Sequence, residues 1–168
     1  MPFRLSFLVA GEAQMDRILS RFGDAAEDLS PVYEEIADDF LEIEERQFTS
    51  GGAGSGGWAP LNPRYAARKK GPGILRETLA LFNSLTRRGA PGAIRRITKD
   101  TIELGSSVTS DRGFPYPVAH ALGTSKMPAR PPIDLIETDK TRWTKMVQRH
   151  LVNALRARTG MPEWRTIV

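Results

Sequence analysis

SPVYEEIADDFLEIEERQF, residues 30–48, is the stretch on which the fold turns. Val32, Ile36, Phe40 and Ile43 recur at three- and four-residue steps, the period of one helix face, while acidic side chains fill the other faces. Pro31 stands where a first helical turn tolerates proline, and the Ser30 oxygen can cap free amides. The spacing predicts a long acidic helix near the N-terminus, running through about Phe48. Further on, residues 93–99 and 101–107 flank a turn near Asp100, with Ile94, Ile97, Ile102 and Leu104 as apolar members, the pattern of a β-hairpin. Helices and neighbouring strands without a regular βαβ alternation predict an α+β fold, a small antiparallel sheet packed with helices.

Outward from these elements the period keeps changing. Phe3, Leu5, Phe7 and Val9 alternate with Arg4, Ser6, Leu8 and Ala10, which predicts a strand over 3–10 with one buried face. Met15, Ile18, Leu19 and Phe22 then fall at helical spacing before Gly23. Residues 50–57, SGGAGSGG, read as a flexible loop and a natural assembly arm, leading to an anchored turn at Trp58-Ala59-Pro60-Leu61. Short helices are predicted over 64–70 and 75–86, a helical turn over 117–122, and a proline-stiffened connection over 127–132. Trp143, Val147, Leu151 and Leu155 mark an amphipathic C-terminal helix over about 139–157, followed by an extended tail from about 159.

A length of 168 residues at 40% hydrophobic supports one core, so the whole chain reads as a single domain. No apolar run approaches the roughly 20 residues that span a bilayer, and the first residues lack the order of a secretory signal, which predicts no membrane association. The absence of cysteine excludes disulfides, thiolate zinc sites and cysteine nucleophiles. Charge is unevenly distributed: residues 1–45 sum to −9 and residues 46–168 to +13. A two-sided chain of this kind suits either nucleic-acid contact or head-to-tail docking of one subunit on another.

Each candidate chemical site fails on context. Gly52, Gly54 and Gly57 satisfy G-x-G-x-x-G, yet an acidic helix precedes them where a dinucleotide site needs a buried strand, and no Lys-Ser or Lys-Thr follows. Asp38, Glu42 and Glu45 share a helix face as metal-binding carboxylates would, but no histidine stands at Glu-x-x-His spacing. His120 and His150 are the only histidines, and neither has a context that assigns it as a base. The expectation is a chain with no catalytic residue, cofactor or metal; a hydrolase built on one of those histidines is the last alternative.

Residues 64–99 carry ten basic side chains against Glu77 alone. The possible DNA-facing set is Arg64, Arg68, Lys69, Lys70, Arg87, Arg88, Arg95 and Arg96. Such a patch would bind phosphates without reading bases, and Tyr65 and Phe82 are too few for a stacking platform. A sequence-nonspecific DNA-binding protein is therefore an alternative, although a basic lumen in an assembly needs the same residues.

The order of landmarks says more. Phe48, the glycine loop, Trp58-Ala59-Pro60-Leu61, Tyr65, Arg68-Lys69, Ile74-Leu75-Arg76-x-Thr78 and Ser84-Leu85 resemble the phage virion morphogenesis family, also called tail completion proteins, which includes the G protein of phage Mu. Gly105-Ser106, Tyr116-x-x-Ala119-His120 before Gly123, and Pro128-Ala129-Arg130-Pro131 continue the likeness, which covers about residues 40–135. The chain departs from the family pattern at Leu79, where glycine is usual, at Ala121, where glutamine is frequent, and at Pro132, where an aromatic is favoured.

The resemblance implies a non-catalytic structural protein of a tailed bacteriophage virion, made in the host cytoplasm and placed in the tail or neck. It implies a hexameric ring that completes or terminates the tail and helps join it to the head. Its neighbours would be the tail tube or tail terminator protein and the head–tail connector or stopper protein, with genomic DNA passing through the lumen. The interface or family-motif candidates are Phe48, Trp58, Leu61, Tyr65, Lys69, Leu75, Arg76, Thr78, Tyr116, His120, Gly123, Pro128, Arg130 and Pro131. Trp58 would anchor the mobile arm, Arg130 would make a planar double contact with a carboxylate, and acidic residues 34–45 and basic residues 64–99 would lie on different interfaces of the ring.

Overall fold

Val32, Ile36, Phe40 and Ile43 are each 4% exposed or less, and they form the floor of the core as a single helix stripe. The computed structural model describes residues 28–159. Among them, α1 spans Ser30–Thr49. Its start differs from the sequence expectation: Ser30 is the first helical residue, and its backbone N–H and hydroxyl both donate to the Asp28 carboxylate, at 2.9 and 2.6 Å. Asp28 therefore caps the helix from outside.

The remaining elements are a 3-10 turn at Ala53–Ser55, α2 at Pro63–Ala66, α3 at Ala80–Thr86, β1 at Ala93–Ile97, β2 at Ile102–Ser106, α4 at Tyr116–Leu122 and α5 at Glu137–Thr159. This is an α+β fold. β1 and β2 pair antiparallel in the register Ile97↔Ile102 and Ala93↔Ser106. The hairpin tip is tied to the beginning of α1, because Leu29 donates its N–H to the Lys99 carbonyl at 2.8 Å and the Tyr33 hydroxyl donates to that of Asp100 at 3.2 Å. The expected strand over 3–10 and the short helix after it lie outside the described residues.

Two expected helices are shorter than their periodicity suggests. Asn62 caps the Arg64 N–H, but α2 ends at Ala66, shortly before Gly71-Pro72-Gly73. The helix expected over 75–86 begins only at Ala80, since Leu75 and Leu79 have φ of 60° and 61°. Left-handed backbone interrupts a right-handed helix, and a non-glycine residue there carries a steric cost. Leu75 and Leu79 nonetheless pack against the core, which holds them in place.

α1 is the central element, with α3, β1 and α5 packed around it. α3 supplies Leu81, Phe82 and Leu85, β2 supplies Leu104, and α5 supplies Trp143. The last turns before α5 add Leu135. No described helix is long and apolar enough to cross a membrane.

Candidate functional site

The glycine run closes on itself. Gly52 donates to the Gln47 carbonyl at 2.8 Å, Gly57 to that of Gly52 at 2.8 Å, and Trp58 to that of Gly51 at 2.7 Å. Gly54 donates to the Gln47 side-chain oxygen at 3.0 Å. The expected flexible assembly arm is instead a tight turn folded against the end of α1. Gly52 is needed there: its φ is +89°, and a Cβ would stand 2.4 Å from the Trp58 ring.

This turn sets Trp58 into a clasp with the connection before α5. The indole N–H donates to the Pro131 carbonyl at 2.9 Å, and the ring meets Phe48 edge-on at 5.3 Å between centroids. Phe48 meets Phe82 in the same way at 5.4 Å, and the Arg76 guanidinium lies 4.5 Å from the centre of the Phe82 ring. Arg130, only 5% exposed, reaches back across the clasp. It donates to the carbonyls of Ala59 at 2.8 Å and Pro60 at 2.9 Å. No carboxylate faces it among the described residues, and the planar fork instead donates to two successive peptide oxygens, which corrects the expected double contact.

The Arg130 backbone N–H donates to the His120 carbonyl at 2.7 Å, joining α4 to the clasp. The His120 ring stands 6.0 Å from Tyr116, its Nδ1 lacks a hydrogen-bond partner, and burial, then nearby Arg130, depress its pKa. Both influences favour the neutral imidazole, and among the described residues no serine or acid is hydrogen-bonded to it. His150 bonds the Asp28 carbonyl at 3.1 Å. Gly123, at φ +72°, ends α4 where a Cβ would stand 2.7 Å from the Ala129 nitrogen.

The other motif residues brace the 61–79 segment. Lys69 is nearly covered and pairs with Glu77, Thr78 accepts the Ala80 N–H at 3.4 Å, and Leu61 is half-buried. Tyr65, at 46% exposed, and Pro128 face outward.

The acidic face of α1 is largely paired within the chain. Glu34 bonds Arg95, Asp38 bonds Arg88, Glu35 bonds Arg149 at 2.7 Å, and Asp39 bonds Arg142 at 2.8 Å. The picture of acidic and basic regions on separate interfaces is corrected accordingly, because the hairpin and α5 fold directly onto α1. Of the possible DNA-facing set, Arg88 and Arg95 are engaged by α1, Lys69 by Glu77 and Arg96 by Glu103. Arg64, Arg68, Lys70 and Arg87 are exposed and form no ion pair among the described residues. Also among the described residues, no cluster of three or more His, Asp or Glu side chains is placed to hold a metal.

A family model described as the phage virion morphogenesis family matches residues 11–152. The chain belongs to the phage virion morphogenesis family. Searches among curated proteins and among solved structures found no match. In this member of the family, Phe48, Trp58, Arg76, Arg130 and Pro131 gather with Phe82 around the clasp, Arg76 and Pro131 being partly exposed. Sequence reasoning missed Gln47 and Glu44, both buried. Their signal was present: Glu44 follows Phe40, and Gln47 follows Ile43, by the four-residue step of the apolar stripe. Gln47 wires the glycine turn, whereas neither Glu44 oxygen has a hydrogen-bond partner among the described residues. Burial, reinforced by Asp134 and Asp139, raises the Glu44 pKa well above the ordinary carboxylate range.

Proposed function

We propose that this chain is a structural protein that completes or terminates the tail of a tailed phage, working as a hexameric ring at the junction of tail and neck. The observation that carries the reading is membership of the phage virion morphogenesis family over residues 11–152. The geometry supports a structural rather than a catalytic role, since the motif residues bond one another and the backbone instead of converging on a cavity. In the ring, different surfaces of adjacent copies meet, which closes a cycle by repeated rotation. Phe114, at 55%, and Leu122, at 75%, are the most exposed large apolar groups among the described residues and are available for such contacts. The tail tube or terminator protein would lie on one side and the connector or stopper on the other. Genomic DNA would pass through a lumen carrying Arg64, Arg68, Lys70 and Arg87.

Complementation of phage lacking this chain tests the proposal. The unmodified chain is expected to restore joined particles, and phage without it to accumulate filled heads and separate tails. Normal joined virions in its absence would overturn the reading. Salt-sensitive binding to random duplex DNA by the isolated chain, with no effect of its loss on joining, would favour the DNA-binding alternative.

A further inference from the structure

Glu44 is the one carboxyl of α1 that is fully buried, and neither of its oxygens has a hydrogen-bond partner among the described residues. It sits where α1 meets the start of α5, among other acids. Asp139, itself 2% exposed, accepts from Arg46 at 3.2 Å and from Arg142 at 2.9 Å. Asp39 accepts from Arg142 at 2.8 Å and from the Trp143 indole N–H at 2.5 Å. Two guanidiniums are thus taken up by two carboxylates, and neither bonds Glu44 or the nearby Asp134.

A carboxyl so placed is compatible with the closed structure only as the neutral acid. Ionised, it would have neither water nor a counter-ion, and it would face the charges of Asp134 and Asp139 through a medium that screens poorly. Its raised pKa has the same origin, burial first and then those two acids. The charge cannot be relieved by moving Glu44 itself, because it stands inside a 20-residue helix with buried Ile43, Gln47 and Phe48 beside it.

The opposite side is held more lightly. Asp134 belongs to a connection with neither helix nor strand, and Asp139 lies in the first turn of α5. Among the described residues, the N–H groups of Ile133, Asp134, Leu135 and Ile136 donate to no backbone carbonyl, whereas Arg130 and Asp139 on either side do. The glycine turn closes over this connection: a Cβ at Gly54 would stand 3.3 Å from the Asp134 carbonyl oxygen and 3.6 Å from the Ile136 side chain. Ile136 is 40% exposed, so water lies just outside. Upstream, Pro131 is pinned by Trp58 and offers a fixed pivot.

We propose that Glu44 is a proton-controlled latch: its neutral acid keeps residues 133–139 and the start of α5 closed on α1, and loss of the proton lifts that segment and admits water. The sign follows from linkage. A group whose proton is held more tightly in the closed form favours closure at low pH, and closure is lost as pH rises through its raised pKa. Leu135, a core residue of the connection, leaves its site when the latch opens, while Phe48 and Phe82 stay packed.

NMR on the full chain between about pH 4 and pH 10 tests this proposal by following the Glu44 carboxyl carbon together with the Leu135 methyl groups. The Glu44 carboxyl is expected to titrate well above its ordinary value of 4.5, and contacts of Leu135 with the core should be lost at the same midpoint. Contacts between Phe48 and Phe82 should persist across the range. Glu44→Gln and Glu44→Met, which cannot ionise, should keep the Leu135 contacts at every pH. Titration of Glu44 near 4.5, or ionisation that leaves the Leu135 contacts in place, would overturn the proposal. So would an equal loss in the two variants, or simultaneous loss of the Phe48–Phe82 contacts, which marks unfolding of the whole domain. The latch does not rest on the tail-completion reading, which joined-particle counts decide separately.

Discussion

Pro131 and Pro132 are adjacent, yet they belong to regions of opposite character. Pro131 closes the clasp, where Trp58 and Arg130 have their polar atoms paired and their apolar parts packed. Pro132 lines an apolar hollow of about 110 Å³ together with Leu81, Leu85 and Val118. The clasp is filled by its own residues, whereas the hollow is left open by the described residues around it. The motif residues of the clasp hold the fold together, whereas the hollow is lined by plainer apolar residues.

The sharpest way to break this contrast is to remove the anchor of the clasp. Trp58→Ala should cost about 3–5 kcal/mol in chemical denaturation, as large aromatic truncations in a core do. In the hollow, Val118→Ala should cost about 1 kcal/mol or less, because Val118 is only partly buried. Equal losses at the two positions would erase the distinction. Arg130→Met should cost about 2–4 kcal/mol, since it leaves the Ala59 and Pro60 carbonyls without donors. Arg130→Lys should recover little of that, because one ammonium cannot reproduce the fork.

Glu44 tests the rule from the other direction, as a buried polar group that is not paired. Its folded-state pKa is raised, so the native state retains a proton that the unfolded chain releases near the ordinary value of 4.5. Stability should fall as pH rises from about 4.5 through the folded-state pKa, and then level off. Glu44→Met should remove that fall and raise stability near pH 8 by about 1–3 kcal/mol, with a smaller gain near pH 4. Denaturant titrations at the two pH values check both sign and size.

The smallest expected effect concerns backbone strain. At Leu79, φ 61°, glycine should be more stable than alanine by about 1 kcal/mol, the reverse of their order in a helix interior. Comparing Leu79→Gly with Leu79→Ala isolates the backbone, because both variants lose the same packing. This is also the position where the resemblance places glycine in other members of the family.

The periodic elements were legible in the sequence because burial imposes a period. The α1 stripe and the presence of a hairpin turning near Asp100 follow from the spacing of Val32, Ile36, Phe40 and Ile43 and from the apolar residues on either side of the turn, whereas the register, Ile97↔Ile102, comes from the structure. The role of Arg130 was not legible, since its acceptors are main-chain oxygens some 70 residues away that no side-chain pattern encodes. Charge was misleading for a related reason. Glu34 and Asp38 lie far from Arg95 and Arg88 along the chain, and only the packing of the hairpin on α1 brings them together. Likewise, the glycine run resembled a free arm because two of the hydrogen bonds that close it go to Gln47, a residue outside the run.

Cryo-electron microscopy of the assembled virion tests the central claim most directly. The account predicts a hexameric ring of this chain at the head-proximal end of the tail, with the Trp58–Arg130 clasp inside each subunit and Leu122 at a subunit boundary. A single copy per virion, or finished particles that lack the chain altogether, would contradict it.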